Sequence, residues 1–121
     1  MQGPKLRDIM RVMATAISEL QEVRETFGLT RSELADLFNR RAQSLSEWEI
    51  RGIPQDQRAS VERLVDLARL FRRRVIATRI PQIVRTPDEW LGGRTMLQTL
   101  RADGVDPIYS YLARLFNYSG A

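Results

Sequence analysis

Residues 29–52 read LTRSELADLFNRRAQSLSEWEIRG and predict two short helices separated by a tight turn. Thr30 and Glu33 form a capping box, because each side chain can bond the free backbone amide of the other residue, and this box starts the first helix. Asn39 then stands where a tight turn favours a left-handed backbone conformation. The segment is therefore expected to be helical on both sides of Asn39.

The second helix of this pair is predicted over 42–50. Leu45 and Trp48 lie three residues apart, so they share one face and would hold the helix against its neighbours. The small side chain of Ala35 lets the two helices cross closely. This pattern indicates a helix-turn-helix, in which the second helix is presented to the major groove of DNA.

The rest of the chain also carries helical patterns. No window shows the period-2 alternation of a strand, so the predicted fold class is all-α, with about eight helices. Pro81 is expected to end any extension of the fourth helix, Thr86 to cap the helix after it, and residues 117–121 to form a polar tail. Apolar residues at three- and four-residue spacing predict helices over 4–26, 56–77 and from 106 onward. Shorter helices are predicted over 86–91, from the cap and proline at its start, and over 95–102, before Gly104.

The composition narrows the function. The 121 residues include no cysteine and no histidine, which excludes disulfides, cysteine nucleophiles and metal sites built on thiolate or imidazole. No stretch reaches the roughly 18 apolar residues of a membrane span, and the N-terminus lacks the apolar centre of a signal peptide. We therefore expect a cytoplasmic protein that binds no membrane, uses no cofactor and is not an enzyme.

Charge is unevenly distributed along the chain. Arginine and lysine number 19 against 15 acids, and the net charge of +4 arises entirely after residue 60. By contrast, residues 19–51 hold seven acids and five arginines, which weakens contact with phosphates. Residues 68–86 contain six arginines and no acid. We interpret this run first as a solvated helix face, second as a contact to DNA phosphates and third as a contact to a partner protein. This run comprises Arg69, Arg72, Arg73, Arg74, Arg79 and Arg85.

Residues 29–52 resemble the Xre-type helix-turn-helix family. The matching features are the Leu-Thr start, the Glu-Leu-Ala sequence, the Ser-x-x-Trp-Glu sequence and the following Gly. In that family the start and outer face of the second helix read bases. The resemblance implies that Arg40 and Arg51 lie near phosphates and that the bases are contacted by Arg41, Gln43, Ser44 and Glu47.

The C-terminal part, IVRTPDEWLGGRTMLQTL followed by GVDPIYSYLARLF, resembles the toxin-binding domain of Xre/MbcA/ParS-type antitoxins. The shared features are a Trp-Leu pair, a Gly-containing turn, a Leu-rich helix and a final apolar helix. The family also places an Xre-type domain directly before this one. The chain is thus divided into an N-terminal domain over 1–78 and a small C-terminal helical domain over 79–121. The candidate partner-facing residues are Trp90, Arg94, Tyr109 and Tyr118, although Trp90 is also a candidate core residue.

These resemblances imply a type II antitoxin. Such a protein neutralises a RES-domain toxin and represses its own operon by binding double-stranded operator DNA, commonly as a homodimer. The long N-terminal helix is a candidate dimer element, and packing within its own domain is equally expected. Two alternatives stay open: a stand-alone repressor from a phage or mobile element, and an adaptor that does not bind DNA.

Overall fold

The computed structural model describes the backbone of residues 5–119 and the side chains of residues 5–117. Within this range no strand forms, which confirms the all-α prediction, although an isolated antiparallel bridge joins Asp88 and Arg94. Seven α-helices and two short 3₁₀ helices (Ala77–Arg79 and Glu89–Leu91) are found over these residues, where about eight helices were predicted. The α-helices are α1 (Leu6–Phe27), α2 (Arg31–Asp36), α3 (Ala42–Arg51), α4 (Gln55–Arg74), α5 (Ile80–Ile83), α6 (Met96–Asp103) and α7 (Asp106–Ser119).

The longest helix, α1, is buried over only part of its length. Leu20, Val23 and Phe27 in its second half face the core. Leu6 and Met10 in its first half are exposed. The predicted apolar stripe therefore packs within this chain only toward the C-terminal end of α1.

α1 stops at Gly28, which has a left-handed φ of +66°. A Cβ atom placed there would lie 2.8 Å from Cγ of Pro81, which is closer than van der Waals contact allows. Both the backbone conformation and the close approach of Pro81 therefore require glycine at this position.

One contiguous cluster of buried apolar side chains draws on both parts of the chain. Phe27 of α1 meets Phe71 of α4 edge to face, with ring centroids 5.2 Å apart. Ile80 of α5 and Ile108 of α7 join the same cluster. The segments on either side of residue 78 thus share a hydrophobic core, and their division into domains stays a prediction.

Several helix boundaries differ from the prediction, and the helix predicted over 86–91 is a three-residue 3₁₀ helix, Glu89–Leu91. α4 ends at Arg74 rather than near residue 77. Pro81 lies in the first turn of α5 instead of ending a helix, at a position where a missing N–H is tolerated. α7 continues to Ser119, so the residues from 117 to 119 are helical rather than a separate tail.

The predicted cap at Thr86 is wrong. The Thr86 hydroxyl donates to the backbone oxygen of Gln82 at 2.7 Å, which ties it to the preceding helix. Asp88 takes the capping role, because its carboxylate accepts from the backbone N–H of Trp90 at 2.8 Å. Both residue types favour caps, so their order in the sequence did not distinguish them.

Candidate nucleic-acid interface

Buried side chains on the core side of α3 fix its position. Leu45 is fully buried, and the Trp48 ring meets the Phe38 ring edge-on at a centroid distance of 5.4 Å. On its flank, Glu49 accepts a hydrogen bond of 2.5 Å from Arg31 of α2. α3 is therefore fixed relative to α2 by both apolar and polar contacts.

The turn between α2 and α3 depends on Asn39. This residue has a φ of +57°, which confirms the predicted left-handed conformation. The turn closes where the backbone N–H of Arg40 donates to the oxygen of Ala35 at 3.0 Å. From outside, Arg101 of α6 donates to Oδ1 of Asn39 at 3.4 Å and lies 3.5 Å from the Asp36 carboxylate. α6 thus supports the turn that positions α3.

The outer face of α3 presents most of the side chains that were predicted to contact DNA. Gln43 and Glu47 are one turn apart, so they lie on the same side of the helix. Arg41 is the residue that immediately precedes the first turn, and Ser44 is half-buried. The exposed members of the predicted set are Arg40, Arg41, Gln43, Glu47 and Arg51.

The two ends of α3 carry the basic groups. Arg40 and Arg41 precede its first turn, whereas Arg51 is in its last turn, and ten residues span about 15 Å. Within the described residues none of these three guanidinium groups has an ion-pair partner. The N-terminal end also carries the positive end of the helix dipole. This end is therefore the more cationic of the two.

The acids near α3 are largely neutralised. Glu47 is the exception on the outer face, because no cation pairs with it among the described residues. The count of seven acids against five arginines in residues 19–51 thus overstates the negative electrostatic potential around α3. Five of the acids form ion pairs: Glu19 with Arg58, Glu22 with Arg69, Glu33 with Arg85, Asp36 with Arg101 and Glu49 with Arg31.

The arginine run over 69–85 is only partly a free cationic surface. Arg69 donates to both carboxylate oxygens of Glu22, at 2.9 and 3.2 Å, and so joins α4 to α1. Arg85 is likewise bound within the fold. Arg73 and Arg79 remain exposed without an ion-pair partner in the described part of the chain. All six arginines of the run are exposed, in agreement with a solvated face, although Arg69 and Arg85 also form ion pairs within the fold.

A cleft of about 400 Å³ opens beside the turn that precedes α3. Three arginines from different elements line it, namely Arg40, Arg63 of α4 and Arg101 of α6. Arg63 pairs with Asp106 of α7, whereas Arg40 has no carboxylate partner among the described residues. Because Arg101 pairs with Asp36, Arg40 is the one arginine of this cleft whose positive charge is not paired among the described residues.

In the C-terminal part, the Trp-Leu pair divides between surface and core. Leu91 is buried, whereas Trp90 is 42% exposed. One side of the Trp90 ring is covered by Tyr111, with ring centroids 5.5 Å apart, and the Arg114 guanidinium lies 5.6 Å from the ring centre. Trp90 is therefore a surface residue with a supported ring and not a core residue.

The other predicted partner-facing residues are less accessible. Arg94 is half-buried, and its guanidinium donates to the Asp103 carboxylate at 2.6 Å. Tyr109 is half-buried, and burial raises the pKa of its hydroxyl. The side chain of Tyr118 lies outside the described residues. Among the three predicted residues whose side chains are described, Trp90 is thus the one in the exposed class.

Sequence reasoning missed the residue that supports Trp90. The Tyr111 hydroxyl donates to Oδ2 of Asp88 at 2.8 Å. Burial, together with the hydrogen bond to Asp88 and its negative charge, raises the pKa of Tyr111 to about 12. The available signal was the three-residue spacing between Ile108 and Tyr111, which indicated only a helix face.

Comparison of the chain with protein families, with curated proteins and with solved structures finds no match. Among the described residues, no helix is long and apolar enough to cross a lipid bilayer.

Proposed function

We propose that this protein is a helix-turn-helix antitoxin that binds operator DNA through α2 and α3 and neutralises a RES-type toxin through its C-terminal part. The observation that carries the DNA-binding proposal is the outer face of α3. There Arg41, Gln43 and Glu47 are exposed, and neither Arg41 nor Glu47 has an ion-pair partner within the described residues. A helix that packs on the core with its inner side and leaves its outer side exposed is suited to enter the major groove.

Each side chain on this face has a base-edge chemistry. The Gln43 amide matches the N6 and N7 edge of adenine, and the Arg41 fork matches the O6 and N7 edge of guanine. The Glu47 carboxylate accepts from the amino group of cytosine, which gives the single acid on this face a reading role. Ser44 lies on the same helix and is half-buried, so its short side chain would contact only a base edge that comes close to the helix.

Phosphate contacts come from both ends of α3. Arg40 and Arg51 flank the helix, and the arginine-lined cleft beside Arg40 lies along the same edge. Two or three phosphate contacts per copy give weak binding, because nonspecific affinity depends on the number of neutralised phosphates. A homodimer doubles these contacts, and we include it in the proposal.

The toxin-binding part of the proposal is supported by Trp90. Exposed Trp, Tyr and Arg side chains are enriched among residues that dominate protein interfaces. Trp90 is exposed, and its ring packs against the ring of Tyr111 and lies near the Arg114 guanidinium. A large amphipathic side chain that is already ordered loses little entropy on binding a partner.

The DNA-binding part is tested with a variant that carries Arg41→Ala and Gln43→Ala. Because each bidentate base contact contributes about 1–3 kcal/mol of discrimination, preference for the native upstream DNA over scrambled DNA should fall at least about 10-fold. The matched control carries Arg73→Ala and Gln82→Ala, two exposed residues of the same types on other helices. Full discrimination in the first variant would contradict base reading by α3.

The toxin-binding part is tested by co-expression with a RES-type toxin encoded beside this protein. Wild type should copurify with the toxin and restore growth, and Trp90→Ala should lose both effects. Ile76→Ala, another exposed apolar side chain, is the matched control. Operator binding without toxin binding would favour the stand-alone repressor, and failure of both would favour the adaptor.

A further inference from the structure

A cleft of about 260 Å³ opens in the C-terminal part of the fold, beside Asp88. Its lining residues belong to α5, α6, α7 and the segment before the second 3₁₀ helix, and none belongs to α2 or α3. Ile83, Pro87 and Met96 form its apolar wall. Since one water molecule occupies about 30 Å³, the cleft has room for roughly nine, and so it can admit one long side chain.

Asp88 brings a negative charge to this cleft. Its half-buried carboxylate accepts from the backbone N–H of Trp90 and from the Tyr111 hydroxyl, both at 2.8 Å. Both donors are neutral, and among the described residues no cation pairs with Asp88. A carboxylate has about four lone-pair sites, so these two bonds leave places for a further donor.

The acids of the C-terminal part differ in how they are neutralised. Two of the four acids after residue 86 form ion pairs, namely Asp103 with Arg94 and Asp106 with Arg63. The other two, Asp88 and Glu89, are neighbours and have no ion-pair partner in the part of the chain that the structure describes. Arg114, the cation nearest to Trp90, lies over the indole ring and pairs with neither carboxylate. The charge at this cleft is therefore suited to a cationic group.

We propose that the cleft receives an arginine side chain of the partner protein. The methylene groups of this arginine pack against Ile83, Pro87 and Met96, and its guanidinium donates to Asp88. Arginine suits the cleft better than lysine, because its planar fork can donate two parallel hydrogen bonds to one carboxylate and can stack on an aromatic ring. Tyr111, which lines the cleft, offers such a ring.

The cleft adjoins the exposed Trp90. Asp88 and Tyr111 both line the cleft, and both contact Trp90, through a backbone hydrogen bond and through ring packing at 5.5 Å. Tryptophan and arginine are the side chains that most often dominate the energy of protein interfaces. That the arginine comes from a toxin rests on the proposed function, whereas the affinity of the cleft for a guanidinium group does not.

An NMR titration of the full chain with N-acetylarginine amide tests the cleft. N-acetylcitrulline amide is the matched control ligand, because it has the same length and shape without the charge. We expect a dissociation constant on the order of millimolar for the arginine probe, at least about 10-fold weaker binding of the citrulline probe, and shifts centred on Ile83, Asp88 and Met96. Equal binding of the two probes, or shifts centred elsewhere, would overturn the proposal. Tighter binding of N-acetyllysine amide would overturn the choice of arginine.

Variants of the two unpaired acids locate the charge that is responsible. Asp88→Asn removes the charge but keeps an oxygen that can accept from the Trp90 N–H, and it should weaken binding of the arginine probe at least about 10-fold. Glu89→Gln removes an equal charge from an exposed residue that does not line the cleft, and it should change binding by no more than about 2-fold. Circular dichroism checks that both are folded, and the comparison of the two probes on wild type decides if Asp88→Asn is not. A folded Asp88→Asn that binds arginine like wild type would contradict the assignment.

The same pair of variants tests the partner. In co-expression with the RES-type toxin, Asp88→Asn should lower the amount of toxin that copurifies, and Glu89→Gln should not. Equal copurification with both variants would overturn the insertion of a partner arginine. The two proposals fail separately, because a wild type that binds the arginine probe but no toxin contradicts the toxin-binding proposal, whereas one that binds the toxin but no arginine probe contradicts the role of the cleft.

Discussion

One guanidinium nitrogen of Arg85 donates hydrogen bonds to both carboxylate oxygens of Glu33, at 2.9 and 3.1 Å. The same guanidinium donates to the backbone oxygens of Phe27 and Gly28, at 3.2 and 2.7 Å. Glu33 meanwhile accepts from the backbone N–H of Thr30 at 2.9 Å and so completes the capping box of α2. One side chain after α5 therefore joins the end of α1 to the start of α2.

Replacing Arg85 should destabilise the fold. Arg85→Ala removes bonds to a carboxylate and leaves two backbone oxygens without this donor, so we expect a loss of about 2 kcal/mol in the free energy of unfolding. Arg79→Ala, at an exposed arginine without an ion-pair partner in the described residues, should change it by less than about 0.5 kcal/mol. Chemical denaturation measures both, and equal effects would show that the Arg85 contacts contribute nothing specific.

Glu33 should make stability depend on acidic pH. The hydrogen bond from the Thr30 backbone lowers its pKa below the ordinary value of 4.5, and Arg85 adds to this against the opposing effect of burial. A carboxylate with a lowered pKa stabilises the fold above its unfolded pKa, and this stabilisation is lost as the pH falls through the folded pKa.

The measurement compares wild type with Glu33→Gln in denaturation series from neutral to acidic pH. The stability difference between them should be largest near neutrality and should shrink as the pH drops below about 4.5. Glu89→Gln, at an exposed acid, should follow wild type throughout. A gap that stays constant with pH would contradict this assignment.

Asn39 should be replaceable by glycine but not by alanine. With a φ of +57°, alanine incurs a steric cost of about 1 kcal/mol that glycine avoids. Both replacements remove the long bond from Arg101, so the difference between them isolates the backbone conformation. Thermal unfolding of the two variants measures it, and equal stability would mean that the turn relaxes to another conformation.

Tyr111→Phe should weaken the support of Trp90. The variant loses the hydrogen bond to Asp88, which we expect to cost about 1 kcal/mol of stability. Because the folded pKa of Tyr111 is raised to about 12, its contribution is present below the unfolded pKa and is lost as the pH rises through about 12. Tyr109→Phe serves as the control, since no hydrogen bond from its hydroxyl is found in the described residues. Denaturation at pH 8, with Trp fluorescence as the probe, should show this loss of stability for Tyr111→Phe and not for Tyr109→Phe.

The local features of the fold were predictable from sequence. The capping box of Thr30 and Glu33 and the left-handed Asn39 both form as predicted, because each depends on residues within a few positions of one another. The choice between Thr86 and Asp88 as a cap was beyond sequence reasoning, since both residue types favour caps and the Thr86 hydroxyl bonds the preceding turn instead.

Contacts between distant segments were not predictable. Arg85 and Glu33 are 52 positions apart, and nothing in the periodicity of either segment couples them. The apolar stripe of α1 had the same ambiguity, because burial by the same chain and burial by a second copy require the same spacing. For the candidate interface, the spacing of Leu45 and Trp48 was enough to predict that Gln43 is exposed. The ion pairs that neutralise the surrounding acids became visible only in the structure.

The proposal to be tested first is that α3 reads DNA. Its most direct test is a fluorescence-anisotropy titration of the wild-type protein against its own upstream DNA and a scrambled duplex, at several salt concentrations. We predict at least about 1,000-fold tighter binding to the upstream DNA. The slope of the salt dependence should fall by about 0.9 for each phosphate that Arg40→Ala or Arg51→Ala leaves without its cation. Equal affinity for the two duplexes, even at low salt, would contradict the claim.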